Sequence, residues 1–552
     1  MPQKSTTRTI RFYRFLKPFV LLCVPLALLC VPRSGRVAIV YDVRAFGAKG
    51  DGKNLDSPSI NKAIEAAAAA GGGAVNFPAG TYLSVSIRLR SNITLQLESG
   101  ATILAADTVA GKITYDLPEP NEWDMYQDFG HSHWQNSLIW GIGLENVSIV
   151  GPGLINGKGL TRRSPRARRV NQPGDRPVTL GSQSPLGEDD DANVMNGLAN
   201  KAISLKLSRN VLLRDFSILN GGHFALLATG VDNLTIDNVK VDTNRDGFDI
   251  DSCRNVRISN CSVNSPNDDA IVLKSSYALG FARATENVTI TNSLVSGYDI
   301  GSLLDGTFKR NVTEAPDRDG PTGRVKLGTE SNGGFKNITI SNMVFDHCRG
   351  LALETVDGGL LENVTITNIT MRDVTNSPLF LRLGKRMRGP AGTAIGYLRR
   401  VNISNIVAYN ADARYASIIA GIPEHHVEDV SLNNIRIYYR GGGKQELADV
   451  QPPERETNYP EPSMFGEIPA YGFFIRHAKG VTLSNVEISY LSDELRPPFV
   501  LHDVNGVAFN HVSAQRAKDV PAFLFRNVLN FITHDFKGLP DTRLDRVEQG
   551  KL

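Results

Sequence analysis

Short runs in which apolar and small polar residues alternate recur along most of the chain, and most of them begin at an asparagine. They include NLTIDNVKV from Asn233, NVRISNCSV from Asn255, NITISNMVF from Asn337 and NVTITNITM from Asn363. Alternation with a period of two predicts β-strands, and the asparagine inside each run predicts a bend between two short strands.

The spacing of these runs defines the fold class. Consecutive runs start 22 residues apart at Asn233 and Asn255 and 26 apart at Asn337 and Asn363. The one useful helical pattern is SPSINKAIEAAAAAGG at residues 57–72, so a parallel sheet built from βαβ units is excluded. The chain is predicted to be all-β, a single-stranded right-handed parallel β-helix of about ten coils with a short N-terminal helical cap.

The N-terminal segment differs in composition from the rest. Five Lys and Arg residues precede the apolar run FVLLCVPLALLCV at residues 19–31, which is short for a membrane span and is typical of a signal peptide. We expect residues 1–38 to be a signal peptide or an uncleaved anchor, 39–530 the β-helix catalytic domain, and 531–552 a C-terminal tail. The protein is then exported, periplasmic or extracellular, and otherwise free of the membrane.

Charge and cysteine content add little beyond this. Residues 1–38 hold seven Lys and Arg and no acid, so without them the formal charge of +3 becomes −4. Nucleic-acid binding is therefore not expected. The basic RRSPRARR and acidic EDDD runs at residues 162–191 are predicted to form a solvated loop. We expect no structural disulfide among Cys253, Cys261 and Cys348, and a monomer.

The repeated Asn-x-Ser/Thr tripeptides have two explanations. They match the acceptor pattern for N-glycosylation, but an asparagine at the bend of each coil followed by a polar strand residue produces the same letters. Because stacked asparagines can hydrogen-bond along a solenoid, we favour a structural ladder.

Two acidic stretches lie one coil apart, TNRDGFDIDS at residues 243–252 and NDDAIVLKS at 267–275. Stacked strands lie about 4.8 Å apart, so Asp246 and Asp268 are expected on adjacent coils with Asp269 beside them. Repulsion among clustered carboxylates raises the pKa of at least one of them. A structural protein gains nothing from this cost, whereas a glycosidase uses a carboxylic acid and a carboxylate together.

These residues resemble family 28 of the glycoside hydrolases, the polygalacturonases, within the pectate-lyase-like β-helix superfamily. NRDGFDIDSC resembles that family's Asn-Thr-Asp-Gly-x-Asp stretch, and NDDAIVLKS resembles its Gly-Asp-Asp-Cys-x-x-x-Lys stretch. YDVRAFGAKGDG and the segment after it resemble the superfamily's N-terminal cap. The likeness spans residues 41 to 515.

The resemblance implies an inverting hydrolase of pectin-like polysaccharides or oligosaccharides that needs no cofactor and no metal. Asp268 matches the general acid, and Asp246 and Asp269 match the pair that activates water. Substrate binding is expected from eight further residues: His223, Asn244, Asp249, Lys274, Arg324, Lys326, Glu330 and Glu354.

The chain departs from the family pattern in two places. No Gly-His-Gly follows the double aspartate, and Thr322 stands where the histidine is expected. The Arg-x-Lys that binds a galacturonate carboxylate has two candidate matches, RVK at Arg324 and RGLALETVDGG at Arg349. In the second match Glu354 replaces the lysine, which would disfavour an anionic sugar and favour a neutral one such as rhamnose or galactose.

Alternatives from other classes stay open. A polysaccharide lyase or epimerase shares the scaffold, and loss of the family histidine and lysine suits a noncatalytic carbohydrate-binding solenoid. Arg382 and Arg386 are candidate sugar contacts, although solvated arginines are the commoner case. His131 and His133 lack an apparent acidic third ligand for a metal. Long loops at residues 301–323 and 441–471 are predicted to block one end of the groove, which favours exo action.

Overall fold

The structure is a computed structural model that describes residues 40–161, 195–315 and 319–552. The predicted signal or anchor at residues 1–38 and the charged loop at 162–191 lie outside these ranges. Val40–Leu552 form one compact unit. Within the described ranges, no helix has the length and apolar character to cross a membrane.

A helix, α1 (Ser57–Ala69), covers the N-terminal end of the solenoid. It begins after Asp56, whose carboxylate accepts hydrogen bonds from the backbone N–H groups of Lys49 and Gly50. Ile60 and Ile64 are fully buried against the first coils, which confirms the predicted cap. Short 3₁₀ helices occupy Val43–Phe46, Asp124–Tyr126, Phe129–His131, Gln445–Asp449 and Pro462–Phe465.

The remaining regular structure is β-strand. In chain order the strands are β1 Val40–Asp42, β2 Asp51–Leu55, β3 Gly73–Phe77, β4 Gly80–Ser84, β5 Ile87–Arg88, β6 Ile93–Leu97, β7 Ala101–Ala105, β8 Ile139–Ile142, β9 Glu145–Val150, β10 Leu154–Asn156, β11 Lys201–Lys206, β12 Arg209–Arg214, β13 Ser217–Leu219, β14 Phe224–Thr229, β15 Asp232–Asp237, β16 Lys240–Asp242, β17 Asp246–Asp251, β18 Arg254–Ser259, β19 Ser262–Asn264, β20 Ile271–Ser275, β21 Thr285–Ser296, β22 Val325–Ser331, β23 Phe335–Asp346, β24 Leu351–Thr355, β25 Leu360–Arg372, β26 Leu379–Leu383, β27 Tyr397–Ala411, β28 Ser417–Ala420, β29 Val427–Tyr439, β30 Phe473–Tyr490, β31 Phe499–Asn510, β32 Ser513–Ala514, β33 Phe523–His534 and β34 Thr542–Lys551.

Except for β34, these strands stack in parallel on three faces, which confirms the right-handed parallel β-helix. The first face runs β1-β3-β6-β9-β12-β15-β18-β21-β23-β25-β27-β29-β30-β31-β33, fifteen strands in all. The expectation of about ten coils was therefore too low. Some of the additional strands lack the leading asparagine of the repeat, such as β3, which follows Gly72, and β31, which bends at Gly506.

The third face carries the candidate site. It runs β5-β8-β11-β14-β17-β20-β22-β24-β26-β28-β30-β31-β33. From β21 onward a long strand continues across two faces and bends at an asparagine in the left-handed conformation, as at Asn292 with φ 51°. Such φ values suit asparagine better than most residues.

The asparagines at the bends form the predicted ladder. The side-chain amide of Asn146 donates to Asn92 at 2.8 Å, and that of Asn210 donates to Asn146 at 3.0 Å. The series continues through Asn233, Asn255, Asn287, Asn337 and Asn363. Each asparagine supplies both a donor and an acceptor, which explains the repeated Asn-x-Ser/Thr letters without glycosylation.

The core lies inside the coils and is aliphatic along most of its length. Toward the C-terminus it becomes aromatic, and the rings of Phe499 and Phe523 stack with centroids 5.1 Å apart. The three cysteines at 253, 261 and 348 are buried free thiols. β34 pairs antiparallel with β33, so the segment predicted as a tail, residues 531–552, belongs to the compact unit.

Candidate active site

Two adjacent strands of the third face position the acidic residues. Asp246 opens β17, and Asp268 and Asp269 lie in the turn that leads into β20, whose Ile271 pairs with Phe248. Gly247 permits the close approach of these coils, because a Cβ at that position would lie 2.3 Å from the carbonyl oxygen of Ala270. The 22-residue spacing therefore brings the three aspartates together.

The trio, Asp246, Asp268 and Asp269, is compact. One carboxylate oxygen from each lies within 4.8 Å of the others. The backbone N–H of Asp269 donates to Asp246 Oδ1 at 3.3 Å and to Asp268 Oδ1 at 3.1 Å. Arg245 Nη2 donates to Asp268 Oδ2 at 2.8 Å, and Arg324 Nε donates to Asp269 Oδ1 at 2.8 Å. Two of the carboxylates are thus held by arginines.

Electrostatics favour a proton on the trio. Burial, reinforced by the neighbouring Asp268 carboxylate, raises the pKa of Asp246 well above its ordinary value, and the opposing effect of Lys274 is smaller. Asp246 and Asp269 are almost fully buried, whereas the side chain of Asp268 is 23% exposed. The cluster therefore offers one carboxyl group that stays protonated and another that reaches solvent.

A second cluster lies beside the trio on the same face. Lys274 Nζ lies 3.1 Å from Glu330 Oε2 and 3.6 Å from Asp249 Oδ2. Although burial opposes the charge, Glu330 and Asp249 raise the pKa of Lys274 well above its ordinary value. His131 Nε2 reaches Asp249 Oδ2 at 3.0 Å. Three of the predicted substrate-binding residues thus form one buried ionic network.

His131 and His133 do not form a metal site together. His131 points to Asp249, whereas His133 contacts Asp124 Oδ2 at 3.1 Å, so the two histidines do not converge. Oxygen and nitrogen atoms of His131, Asp246 and Asp249 do converge within 4.8 Å. The Lys274 ammonium already lies next to Asp249, so a cation there would meet like charge.

Both candidate matches to the family's carboxylate-binding pair fall in a third cluster. β22 carries Arg324 at its entrance and Lys326 within it, and the neighbouring β24 carries Glu354. Lys326 Nζ lies 3.5 Å from Asp269 Oδ2 and 3.5 Å from Glu354 Oε2. The two alignments therefore describe adjacent coils of one site.

Glu354 occupies the centre of this cluster and is fully buried. Thr329 Oγ1 donates to its Oε2 at 3.3 Å, while Oε1 has no hydrogen-bond partner among the described residues. Burial outweighs the attraction of Lys326 and Arg324 and raises the pKa of Glu354 to about 7. A glutamate in place of a lysine therefore changes the charge of this cluster.

The loop at residues 441–471, which we call the covering loop, lies over the C-terminal part of the third face. Its Phe465 and Ile468 pack with Phe380, Ile418 and Phe474, which point outward from β26, β28 and β30. Burial of each such side chain is worth about 1.5–3 kcal/mol. The covering loop therefore lies over this part of the third face, whereas residues 301–315, the other predicted wall, make their contacts on another face.

Arginines fasten the covering loop to the solenoid. Arg382 Nη1 donates to Gly421 O at 2.6 Å and its Nη2 donates to Glu454 O at 3.1 Å. Arg476 donates to Pro452 O and Pro453 O. Arg386 is buried and pairs with Asp357. The hypothesis that Arg382 and Arg386 contact sugar was therefore wrong, because their guanidinium groups bind backbone carbonyls and a buried carboxylate.

The other predicted site residues lie near the trio. His223 is buried and precedes β14, whose Phe224 pairs with Asp246. Asn244 lies two residues before Asp246 and accepts a backbone hydrogen bond from Asn267. Thr322 is buried and is followed by Gly323, whose N–H donates to the Asp268 carbonyl at 2.9 Å. Residues 301–315 bind Asp242, Asp346 and Asp373 at the strand ends of the second face. This face runs β2-β4-β7-β10-β13-β16-β19-β21 and continues through the second halves of the long strands.

The structure adds residues that the sequence did not indicate. Glu461 of the covering loop binds Arg324, and its Oε2 lies 3.4 Å from Arg349 Nη1. Tyr459 of the same loop accepts a hydrogen bond from Lys326 at 3.2 Å. The loop was identified from sequence, but nothing in its composition indicates which of its acids turns inward.

A carboxylate trio on the third face of a parallel β-helix supplies the paired carboxyl groups that glycoside hydrolysis uses. The family model for glycosyl hydrolases family 28 matches residues 89–315, and a model described as rhamnogalacturonase A/epimerase, pectate lyase-like, matches residues 40–134. A probable polygalacturonase from Vitis vinifera is 23% identical over 482 residues, which cover 80% of this chain and 86% of that protein.

Solved structures agree on the fold. The family 28 exopolygalacturonase of Yersinia enterocolitica superposes with a TM-score of 0.60 at 19% identity, covering 85% of this chain and 78% of that one. A hyperthermoactive exopolygalacturonase from Thermotoga maritima gives a TM-score of 0.53 at 18% identity and covers 93% and 95% of the two chains. The chain is therefore similar to glycoside hydrolase family 28 over residues 89–315, and it is a glycoside hydrolase.

Proposed function

We propose that this protein hydrolyses O-glycosidic bonds in pectin-type polysaccharides or oligosaccharides by inverting acid/base catalysis. The observation that carries the proposal is the Asp246–Asp268–Asp269 trio, whose carboxylate oxygens lie within 4.8 Å of one another on the third face. Carboxyl groups that differ in burial and share one proton are what such a reaction requires.

The roles follow from exposure and contacts. Asp268, the most exposed of the three, donates a proton to the leaving oxygen, and Asp246 and Asp269 hold the attacking water. Two hydrogen bonds of about 2.8 Å that meet at a tetrahedral water join oxygens roughly 4.6 Å apart, which agrees with the size of the trio. Arg324 holds the Asp269 carboxylate in place through a hydrogen bond of 2.8 Å.

The shared proton lies on different carboxyl groups in the free protein and at the proposed chemical step. In the free protein, burial favours the proton on Asp246, whereas the proposed roles need it on Asp268 at the chemical step. Coupled carboxyl groups titrate as a pair, so binding of the leaving oxygen at Asp268 moves the shared proton there and leaves Asp246 to accept one from water. The reverse assignment, with Asp246 as the acid, is tested below.

Charge balance supports a neutral sugar at the Arg324 subsite. Three cations of this cluster, Arg324, Lys326 and Arg349, face the acids Asp269, Glu461 and Glu354 of the protein itself. Glu354, with a pKa of about 7, is only partly ionised near neutral pH. A galacturonate carboxylate would enter a site whose positive charge is already largely compensated, so little partner charge would offset its desolvation. A neutral pectic sugar, such as rhamnose or galactose, pays no such cost.

The covering loop supports action on chain ends. Phe465 and Ile468 close the third face beyond β26, and Glu461 reaches back to the trio's own arginine. A polymer that continued past this point would have to displace the apolar contacts of the loop. We therefore propose exo action on pectic oligosaccharides. Export and a monomeric state stay predictions.

Stereochemistry gives the direct test. Proton NMR of the first product formed from a panel of pectic oligosaccharides should show the anomer opposite to that of the substrate linkage. Carboxyl groups this close also suit a double displacement, so retention would overturn the inverting mechanism while leaving hydrolysis intact. Absence of any released sugar across the panel would favour the noncatalytic carbohydrate-binding alternative.

A further inference from the structure

A separate group of side chains that can bind a metal lies at the edge of the third face, on coils that follow the trio. His426 comes shortly after β28, His477 lies within β30, and Asp503 lies within β31. The pairing of Ala478 with Val504 places His477 beside Asp503 on adjacent coils. Both residues adopt left-handed backbone angles, with φ 49° and 55°, that turn them out of the strand.

The donor atoms of these three residues converge. His477 Nδ1 lies 2.7 Å from Asp503 Oδ2, and His426 Nε2 lies 3.2 Å from the same oxygen. One ligand atom from each lies within 4.8 Å of the other two. Two imidazole nitrogens and a carboxylate oxygen form one of the ligand sets of zinc sites that keep an open position.

The remaining polar atoms of His477 and Asp503 also have hydrogen-bond partners. His477 Nε2 lies 3.1 Å from Glu454 Oε2, and Asp503 Oδ1 accepts a hydrogen bond from Asn527 Nδ2 at 2.9 Å. Metal-ligating histidines usually donate their second ring N–H to a carboxylate, and ligating carboxylates are themselves hydrogen-bonded. The cluster therefore has the outer contacts of a metal centre as well as its ligands.

Hydrogen bonding alone explains His477 poorly. A neutral imidazole carries one N–H, yet both ring nitrogens of His477 face carboxylate oxygens, and His426 points to the same oxygen of Asp503. A cation between the three donor atoms would give each of them a partner while both imidazole rings stay neutral. His477 Nδ1 would then bind the cation through its lone pair, and His477 Nε2–H would donate to Glu454. The alternative is a cluster held by hydrogen bonds alone, which the experiment below distinguishes.

We propose that His426, His477 and Asp503 bind a divalent transition metal of the zinc class, with a fourth position open to water. The side chains of His426 and Asp503 are 26% and 29% exposed, so an ion can enter from solvent. His477 is buried and fixes the inner ligand. Imidazole with one carboxylate favours Zn²⁺ and its neighbours over Ca²⁺ or Mg²⁺, which take oxygen ligands.

The site would stabilise the covering loop. Glu454 belongs to that loop and also pairs with Arg476 at 3.0 Å, and Arg476 binds the loop backbone at Pro452 and Pro453. A metal that orders His477 therefore orders Glu454 as well. The site shares no residue with the trio, so the proposal is independent of the hydrolytic mechanism.

Binding of the metal itself tests the proposal. Full-length protein treated with EDTA and then dialysed should bind one Zn²⁺ per chain in calorimetry, with a rise in Tm. Co²⁺ in its place should give the visible absorption of a four-coordinate site. Asp503→Asn and His426→Ala should abolish stoichiometric binding, and Glu454→Gln should weaken it about 10–100-fold.

The control is His534→Ala. His534 forms an exposed pair with Asp541 at 2.7 Å and lies outside the cluster, so this variant should bind Zn²⁺ as the wild type does. His426 and Asp503 are partly exposed, so their variants should stay folded. Binding that is absent in the wild type, or unchanged in Asp503→Asn, would overturn the proposal.

Discussion

Arg324 and Glu461, 137 residues apart in the chain, form a double hydrogen bond at 2.7 and 3.2 Å beside the trio. The same guanidinium donates its Nε–H to Asp269 at 2.8 Å. One arginine therefore joins a catalytic carboxylate to the covering loop. A loop carboxylate is thus bound to Arg324, one of the two arginines that the resemblance offers for binding a sugar carboxylate.

Glu461→Gln should shift substrate preference toward anionic sugars. Removing this carboxylate leaves Arg324 and Arg349 with one negative charge fewer, so a galacturonate carboxylate can take its place. We expect kcat/KM on galacturonides to rise relative to neutral pectic oligosaccharides, mainly through KM. Kinetics on matched pairs of the two substrate types measure the change.

Glu456→Gln is the matched control for that experiment. It removes one charge from the same loop, but Glu456 pairs with Lys385 and not with the Arg324 cluster. Its substrate preference should equal that of the wild type. A shift of equal size in both variants would mean that general loop charge, and not occupancy of Arg324, controls preference.

Asn variants of the trio should lose activity but differ in stability. Each of the three should lower kcat by about 10²–10⁴-fold. Asp246→Asn should be as stable as the wild type or more so, because burial and Asp268 oppose its charge. Asp269→Asn should be less stable, because Arg324 then loses one of its two carboxylate partners while buried. Thermal melts and steady-state kinetics provide both readouts, and normal turnover in Asp268→Asn would remove it from the mechanism.

Leaving-group dependence separates the acid from the base. An aryl glycoside with a leaving group of low pKa needs little protonation, so Asp268→Asn should recover most of its activity on such a substrate. Asp246→Asn should stay impaired, because water activation is still required. Recovery in Asp246→Asn instead would assign the acid to the buried carboxyl group, in line with its raised pKa in the free protein.

The sequence predicted the fold well because its signals are local. The period of two and the asparagines at the bends specify each coil, and the 22-residue spacing then determines that Asp246 lies next to Asp268 and Asp269. The ladder from Asn92 to Asn363 and the cap α1 follow from the same local rules. The number of coils was underestimated where glycine replaces asparagine at the turn.

The long-range contacts could not be predicted in this way. Glu461, Tyr459 and Glu454 reach the third face through a loop, and loop conformation depends on distant partners such as the apolar contacts of Phe465. Arg382 and Arg386 resembled solvent-facing or sugar-binding residues by sequence, although their burial is decided by Gly421 and Asp357 on other coils. Sequence proximity gives no information on such pairs.

Glu354 should make stability depend on pH. Its native pKa of about 7 lies above its ordinary 4.5, so the folded protein holds this proton more tightly than the unfolded chain. Its contribution is therefore fully present below about pH 4.5 and is lost as the pH rises through about 7. Glu354→Gln keeps the neutral form at all pH values, so its Tm should fall less than that of the wild type across this interval.

Glu354→Gln is a better test of this residue than Glu354→Lys, the substitution that would restore the family's lysine. Glu354→Lys would place an ammonium within reach of Lys326 in a fully buried site. We expect it to destabilise the protein, so a change in its substrate preference would be hard to interpret. If wild type and Glu354→Gln lose Tm in parallel, Glu354 titrates normally and carries its charge at neutral pH.

Chelation and product chemistry separate the hydrolase from the lyase alternative. Acid/base attack by water uses only the trio, so turnover should persist in excess EDTA, and each cleavage should release a new reducing end without ultraviolet absorbance. A β-eliminating enzyme forms an unsaturated sugar that absorbs, and it would require a cation to acidify the C5 proton. The proposed His426–His477–Asp503 metal shares no residue with the trio, so EDTA should lower Tm without abolishing kcat.

Asp503→Asn, assayed with and without EDTA, is the control, because its Tm should no longer respond to the chelator. Absorbing products, or complete loss of turnover in EDTA that Zn²⁺ or Ca²⁺ restores in both proteins, would rule out metal-free hydrolysis by the trio.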